Sequence, residues 1–318
     1  MNVRKVPQLS LGQFTHGTHL DSVRFVDDFL SGLKDYGFIN LSDHPIKSET
    51  LSSAYNIMRE YFDLPLEKKL QYISKAGGGQ RGHTPFKREH ARDSLYPDLK
   101  EFWHVGRELD SAHPMKSSYP DNLWPSEIPQ FKKVMLELYQ SMDEVSLILL
   151  KALGRGLDLG DHYFQDMVEN GNSILRCIHY PPVELEEGKL SMRAAAHADI
   201  NLITMLVGAT SSGLELLDRD GQWLKVETKD NQIVVDSGDM LSRITNNVIP
   251  STIHRVVNTD SPDTPFAQRA RYSMPFFVHP KPSAVLECIP SCLGEGAKFP
   301  PITSNDFLFE RLKEIGLM

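Results

Sequence analysis

Long apolar runs are missing from this chain of 318 residues. Nothing approaches the ~20 consecutive apolar residues of a membrane-spanning helix, so no membrane partner is expected. Cysteine is scarce too. Cys177, Cys288 and Cys292 are too few for a disulfide framework and suit a reducing, cytoplasmic setting. Cys288 and Cys292 could pair as metal ligands, but no second Cys or His pair stands nearby, and free thiols are the simpler reading. Positive charge is in deficit: 34 Lys and Arg against 42 Asp and Glu give a net −8. That balance argues against a nucleic-acid partner but leaves room for a local basic pocket that takes an acidic metabolite. Residues 1–14 carry Arg4 and Lys5 with no apolar run behind them, so no signal peptide is expected. Internal repeats and low-complexity tracts are absent. Three consecutive glycines within 76–81 predict a mobile loop; without a following Lys-Ser/Thr they do not form a phosphate-binding loop.

What is present is an ordinary globular composition, 40% hydrophobic and 24% charged, with a mean hydropathy of −0.32. A chain this long buries roughly 75% of its unfolded surface. In 21–36, Val23, Val26, Phe29, Leu30 and Leu33 recur at helical spacing, and Gly37 supplies a stop. A short strand follows over 38–41, then a helix over 48–62 and the start of a third at Pro65. A long helix spans about 129–153, its stripe made of Phe131, Val134, Met135, Leu138, Met142, Val145 and Leu149. After Gly171 the pattern changes to short β-like runs broken by turns: 173–180, 202–207, 213–217, 222–226, 232–236, 240–244, 253–258 and 271–278. Eight such strands predict an α+β protein with a jelly-roll core. Residues 1–110 form an N-terminal helical and strand region and 111–318 the long helix and jelly roll, one compact unit overall.

Two histidines and an aspartate carry the chemistry. His197 and Asp199 are two residues apart, and on an extended strand both side chains leave one face. His254 comes 55 residues after Asp199, far enough for several strands to intervene. Two imidazoles and one carboxylate on one face of an ion leave three positions open, the pattern of non-haem Fe(II) oxygenases; zinc tends to four-coordination with one open position. Among twelve histidines a His-x-Asp pair is by itself more often a surface or hydrogen-bonded pair. Arg271 and Ser273 share a strand face on an apolar run and suit a carboxylate bound out of water. Arg269 on the same face is a rival.

Together these residues resemble the Fe(II)/2-oxoglutarate-dependent oxygenases of the isopenicillin N synthase-like family. His197-Ala198-Asp199 with the strand 202–206 resembles the first metal-binding strand. Residues 213–216 and 223–226 resemble the next hairpin, and Ser237-Gly238-Asp239-Met240, Thr245-Asn246 and His254-Arg255-Val256 the approach to the second histidine. Arg271-Tyr272-Ser273 resembles the co-substrate clamp. Tyr36-Gly37-Phe38, His44 and Asp98-Leu99-Lys100-Glu101 match N-terminal signatures. The resemblance implies a double-stranded β-helix, with His197, Asp199 and His254 holding Fe(II) and 2-oxoglutarate and O2 as co-substrates. Arg271, Ser273 and Tyr180 would hold the distal carboxylate, and a substrate C–H bond would be oxidised with release of succinate and CO2. Hydroxylation is the default; desaturation or cyclisation needs only a different substrate pose.

Two departures stand out. The family's Asn-Tyr-Tyr-Pro is here Ile178-His179-Tyr180-Pro181, so an amide is lost and Arg176 on the same face is a candidate to compensate. The connection from His254 to Arg271 is long, with a loop over 259–267. For a small-molecule substrate the candidate contacts are Arg81, Trp103, His104 and Phe277, each of which packing alone could also explain. A monomer is expected. Three alternatives stay open: an Fe(II) oxidase of the same fold that uses no 2-oxoglutarate, a zinc hydrolase on the same ligands, and a metal-free scaffold.

Overall fold

The computed structural model describes residues 4–74, 79–86, 88, 100–182, 192–229, 231–260, 264–265 and 269–315. Residues 76–78 of the glycine loop, Asp98 and Leu99, and most of the 259–267 loop lie outside the described residues.

The N-terminal part runs β1 (Gln8–Ser10), α1 (Leu11–Thr15), α2 (His19–Tyr36), β2 (Phe38–Ser42), α3 (Ser48–Phe62), α4 (Leu66–Lys69), β3 (Gly82–Thr84) and β4 (Glu101–Gly106). Then come α5 (Phe131–Gly156) and α6 (Tyr163–Val168). The strand-rich part holds β5 (Ile174–Tyr180), β6 (Met192–His197), β7 (Ile203–Val207), β8 (Leu214–Leu217), β9 (Trp223–Lys225), β10 (Ile233–Ser237), α7 (Asp239–Ile244), β11 (His254–Val257) and β12 (Arg271–Val278). A ribbon of β13 (Val285–Leu286) and β14 (Ile302–Thr303) leads to α8 (Ser304–Glu314).

Local chemistry sets the helix ends. Thr18 and Asp21 form a reciprocal capping box at the start of α2. Gly37 closes the helix with φ 67°, donating to the Leu33 carbonyl. A Cβ at Gly37 would stand 2.1 Å from the Thr252 hydroxyl, so only glycine lets the segment before β11 approach. Thr252 donates there to the Tyr36 carbonyl at 2.9 Å.

Eight strands form one sheet in the order β1-β2-β10-β7-β12-β5-β4-β3, and four form a second in the order β6-β11-β8-β9. Every pairing in these sheets is antiparallel except β1 with β2. The two sheets make the jelly roll, and strands from the N-terminal part extend both edges of the larger one. Its outer face packs under α2, α3 and α5. There the expected α5 stripe is buried except for the half-buried Val134, with Phe131 and Trp103 rings 5.1 Å apart and Tyr139 edge-on to Phe276 at 5.0 Å. Leu149 alone, fully buried, contributes on the order of 2 kcal/mol.

One expected strand is a helix. Residues 240–244 lie in α7: Gly238 is the extended cap, Asp239 sits in the first turn, and Met240, Leu241 and Ile244 bury one side. So short an apolar run cannot be assigned by period alone. The count of eight core strands is kept by β6, which no expected run had covered.

Candidate active site

The register of the small sheet brings the two imidazoles together. His197, last in β6, lies directly opposite His254, first in β11, and the rings are 4.5 Å apart. Asp199 is not on the strand as expected; it sits just past it, in the turn between β6 and β7. Gly238 holds that turn. A Cβ there would lie 2.2 Å from the Asn201 carbonyl oxygen, and the neighbouring Asp239 amide donates to the Asp199 carbonyl at 2.7 Å. The Ser237-Gly238-Asp239 run therefore positions Asp199, about forty residues upstream, by close backbone contact.

Each imidazole donates from Nδ1 to a carbonyl two residues back, His197 to Ala195 at 2.8 Å and His254 to Thr252 at 3.2 Å. That fixes the tautomer and turns both Nε2 lone pairs inward, each 3.9 Å from Asp199 Oδ1. The ligand atoms lie within 4.8 Å of one another, the single metal-capable cluster among the described residues. Burial and the facing His254 push the His197 pKa down to about 4, so it is a neutral donor at neutral pH. Burial raises the Asp199 carboxyl, but the two histidines and the Thr204 hydroxyl more than offset it, and the group is held below its ordinary value. Thr204 donates to Oδ2, which leaves Oδ1 toward the histidines. Two imidazoles and a carboxylate held below its ordinary value fit a divalent cation.

The cluster opens on a cavity of about 470 Å³ between the sheets. Arg271 lines it from β12, opposite Tyr180 of β5. Its guanidinium is 2% exposed, donates from Nε to the Ser211 carbonyl at 3.2 Å, and leaves Nη1 buried with no hydrogen-bond partner among the described residues. Burial lowers its pKa, with Tyr180 and Tyr55 opposing. A buried donor without a partner costs on the order of 1–3 kcal/mol, more when charged, so the site is built to receive an acceptor. Ser273 lines the same wall two residues on. The rival Arg269 is absent from the lining; its Nε donates to the Thr264 carbonyl at 2.9 Å.

The substrate candidates divide by strand alternation. His104 and Phe277 line the cavity. Trp103, one residue from His104, points to the opposite face and packs against Tyr61, with ring centres 4.7 Å apart. Arg81 is fully buried away from the cavity, donating to Gln80 O and to Asn172 Oδ1 and pressed onto Gly106. The expectation that Arg81 and Trp103 contact substrate is therefore corrected: both are core residues. Several lining residues were not anticipated. Asp236 of β10 lies beside Asp199, and burial together with that neighbouring carboxylate raises its pKa well above the usual range. His279 is 6% exposed. Leu308, Arg311 and Leu312 of α8 close one side. A carboxyl ending the apolar run Ile233-Val234-Val235-Asp236 was a readable signal; nothing in the sequence tied α8 to the site.

No helix among the described residues is long and apolar enough to cross a membrane. Residues 6–127 match the family described as the non-haem dioxygenase in morphine synthesis N-terminal region, and residues 171–280 match the 2OG-Fe(II) oxygenase superfamily. The chain is 32% identical over 283 residues to the 2-oxoglutarate-Fe(II) type oxidoreductase hxnY of Emericella nidulans, covering 86% of this chain and 79% of that one. It is 30% identical to the 2-oxoglutarate-dependent dioxygenase citB of Monascus ruber, over 86% and 84% of the two chains. Among solved structures, a 2OG-Fe(II) oxygenase family protein of Caulobacter crescentus superposes with a TM-score of 0.86 at 38% identity over 98% and 99% of the chains. A full-length Neurospora crassa protein solved in complex with alpha-KG gives 0.83 at 29% identity over 97% and 96%. With the His-Asp-His cluster, the buried arginine and the jelly roll already in view, these matches identify the chain as a member of the 2OG-Fe(II) oxygenase superfamily, a dioxygenase that depends on Fe(II), 2-oxoglutarate and O2.

Proposed function

We propose that His197, Asp199 and His254 hold the iron, that Arg271, Ser273 and Tyr180 hold the distal carboxylate of 2-oxoglutarate, and that the reaction is hydroxylation of a small organic molecule. The observation that carries this reading is the pair of buried polar sets facing one cavity: an inward-turned His-Asp-His cluster and an arginine with an unpartnered buried Nη1. Iron bound there supplies the coupling of 2-oxoglutarate decarboxylation to oxidation of a substrate C–H bond, with succinate and CO2 as by-products.

The protein's own part is geometric and electrostatic. Thr204 and the Gly238 contact fix the carboxylate, and the carbonyls of Ala195 and Thr252 fix the imidazoles. Arg271 recognises the co-substrate's far end in a setting from which water is excluded, where a guanidinium–carboxylate pair is strongest. Ile178, Ala194 and Phe277 give an apolar wall for the substrate's body. The Neurospora crassa relative has been crystallised with thymine, a flat molecule of a size this cavity admits.

Anaerobic addition of Fe(II) and then 2-oxoglutarate should produce a visible charge-transfer band in the unaltered protein. The band should be absent from His197→Ala and require higher 2-oxoglutarate in Arg271→Gln. Oxygen uptake that needs no 2-oxoglutarate would replace this reading with that of an Fe(II) oxidase on the same fold.

A further inference from the structure

The cavity is a corridor with different ends. β12 turns its odd-numbered residues into it, from Arg271 to Phe277, and β5 its even-numbered ones. Arg271 stands opposite Tyr180 at one end. Six residues along, Phe277 stands opposite Thr204, whose hydroxyl holds Asp199, and on its other side opposite Ile174. Arg176, two residues from Ile174 on the same face, is thereby set beside the metal cluster and ~13 Å of strand from Tyr180.

The guanidinium is built in. Its central carbon lies 4.2 Å from the centre of the Phe102 ring and 5.1 Å from that of Phe277. Nε donates to His104 Nε2 at 2.6 Å, and His104 Nδ1 donates to the Gly79 carbonyl at 2.8 Å. This chain of bonds fixes His104 as the neutral acceptor tautomer. The two rings set the plane of the guanidinium, and the hydrogen bond to His104 helps set its direction. A planar fork ordered in advance loses little freedom on pairing with a planar oxyanion. Lys100 lines the same end. The walls nearby are apolar, with Ile178 and Phe277 on the sheet and Leu308 and Leu312 on α8.

We propose that Arg176 is the specificity-determining residue of the enzyme: it receives a carboxylate of the substrate, so that the substrate class is a small organic acid with an apolar body. This rests on the assignment of Arg271 to 2-oxoglutarate. Arg271 selects the co-substrate at the far end of the corridor, and Arg176 orients the molecule to be oxidised beside the metal.

The test uses the Fe(II) protein, anaerobic and saturated with 2-oxoglutarate. It is titrated with phenylacetate, 3-phenylpropionate and hexanoate and, in parallel, with the methyl ester of each, following the visible band and the heat of binding. At least one acid should bind, with its ester tenfold or more weaker. Arg176→Gln should erase that preference, and Arg176→Lys, which keeps the charge without the plane, should restore part of it. Acid and ester binding alike, no acid binding, or a preference that survives Arg176→Gln overturns the proposal. If Arg176→Gln does not fold, the acid-against-ester comparison on the unaltered protein and Arg176→Lys still decide. Failure of 2-oxoglutarate itself to bind would sink the co-substrate reading and this assignment with it. Binding of 2-oxoglutarate without an acid preference overturns the role of Arg176 alone.

Discussion

Two clusters of histidine and carboxylate flank the eight-stranded sheet, one on each side, and they are closed in opposite ways. On the helical side Glu101 of β4 is 1% exposed and bound by Lys69 Nζ, 2.9 Å from both its oxygens. His179 Nδ1 lies 2.8 Å away and His83 Nε2 3.6 Å. Burial raises the Glu101 carboxyl, but the His179 and Lys69 hydrogen bonds outweigh it and leave it below its ordinary value. On the cavity side Asp199 has two imidazoles for company and, among the described residues, no lysine or arginine within ion-pair distance. The same residue types thus give a structural lock where an ammonium supplies the cation and a candidate metal site where, among the described residues, no ammonium or guanidinium is within ion-pair distance. Cation supply, rather than ligand identity, separates the two.

The comparison can be broken from either side. Replacing His197 or Asp199 by alanine should reduce succinate formation by at least about 1000-fold, as expected when a group essential to the chemistry is lost. A chemical-denaturation midpoint should move little, because among the described residues no lysine or arginine is left stranded by the change. Replacing Lys69 by methionine should do the reverse. It strands a buried carboxylate and costs about 3–5 kcal/mol in denaturant unfolding, while iron binding to the folded protein persists. Should Lys69→Met lose iron without losing stability, the division between lock and site is wrong.

Arg271→Gln should raise the 2-oxoglutarate KM about 100-fold, the effect of cutting one partner from a buried charge pair. The kcat at saturating co-substrate should fall less. The smallest effect is on pH. Burial pushes the His83 pKa down to about 4, with Glu101 opposing. Between the unfolded value near 6.5 and that value, the unfolded chain takes up a proton that the native one refuses, so stability falls as pH falls. From pH 6.5 to pH 5 this amounts to roughly 1.5 kcal/mol for His83, and His83→Gln should flatten the slope. Glu101 acts lower: its depressed pKa gives stability that is present above about 4.5 and lost as pH falls through the folded value.

The sheet elements were legible where period and turn signals agreed. β5, β7 and β12 fall within a residue of expectation, since each is a short run rich in apolar residues with Gly, Pro or Asn close to at least one end. α7 was misread because five apolar-rich residues fit either period. Of the candidate site, the His-Asp-His set that the fold brings together and the arginine and serine that line the same cavity were readable as an ordered set. The substrate wall was not, because whether Trp103 or His104 faces the cavity depends on the phase of β4, and a strand paired on both sides with buried residues throughout shows no alternation in hydrophobicity. α8 was invisible to sequence reasoning for another reason: its route to the cavity is set by the β13–β14 ribbon and not by any motif of its own.

The order of residues alone determined which groups could meet a metal and which could grip an acid, because the types of donor and their order along the chain are properties of the sequence. The tertiary structure decided the rest. Pairing of His197 with His254, the turn of Nε2 inward, the burial of Arg271 and the plane of Arg176 all depend on strand register and on contacts between segments far apart in the chain. A register shift of one residue would send each of these side chains to the other face without altering a letter of the sequence.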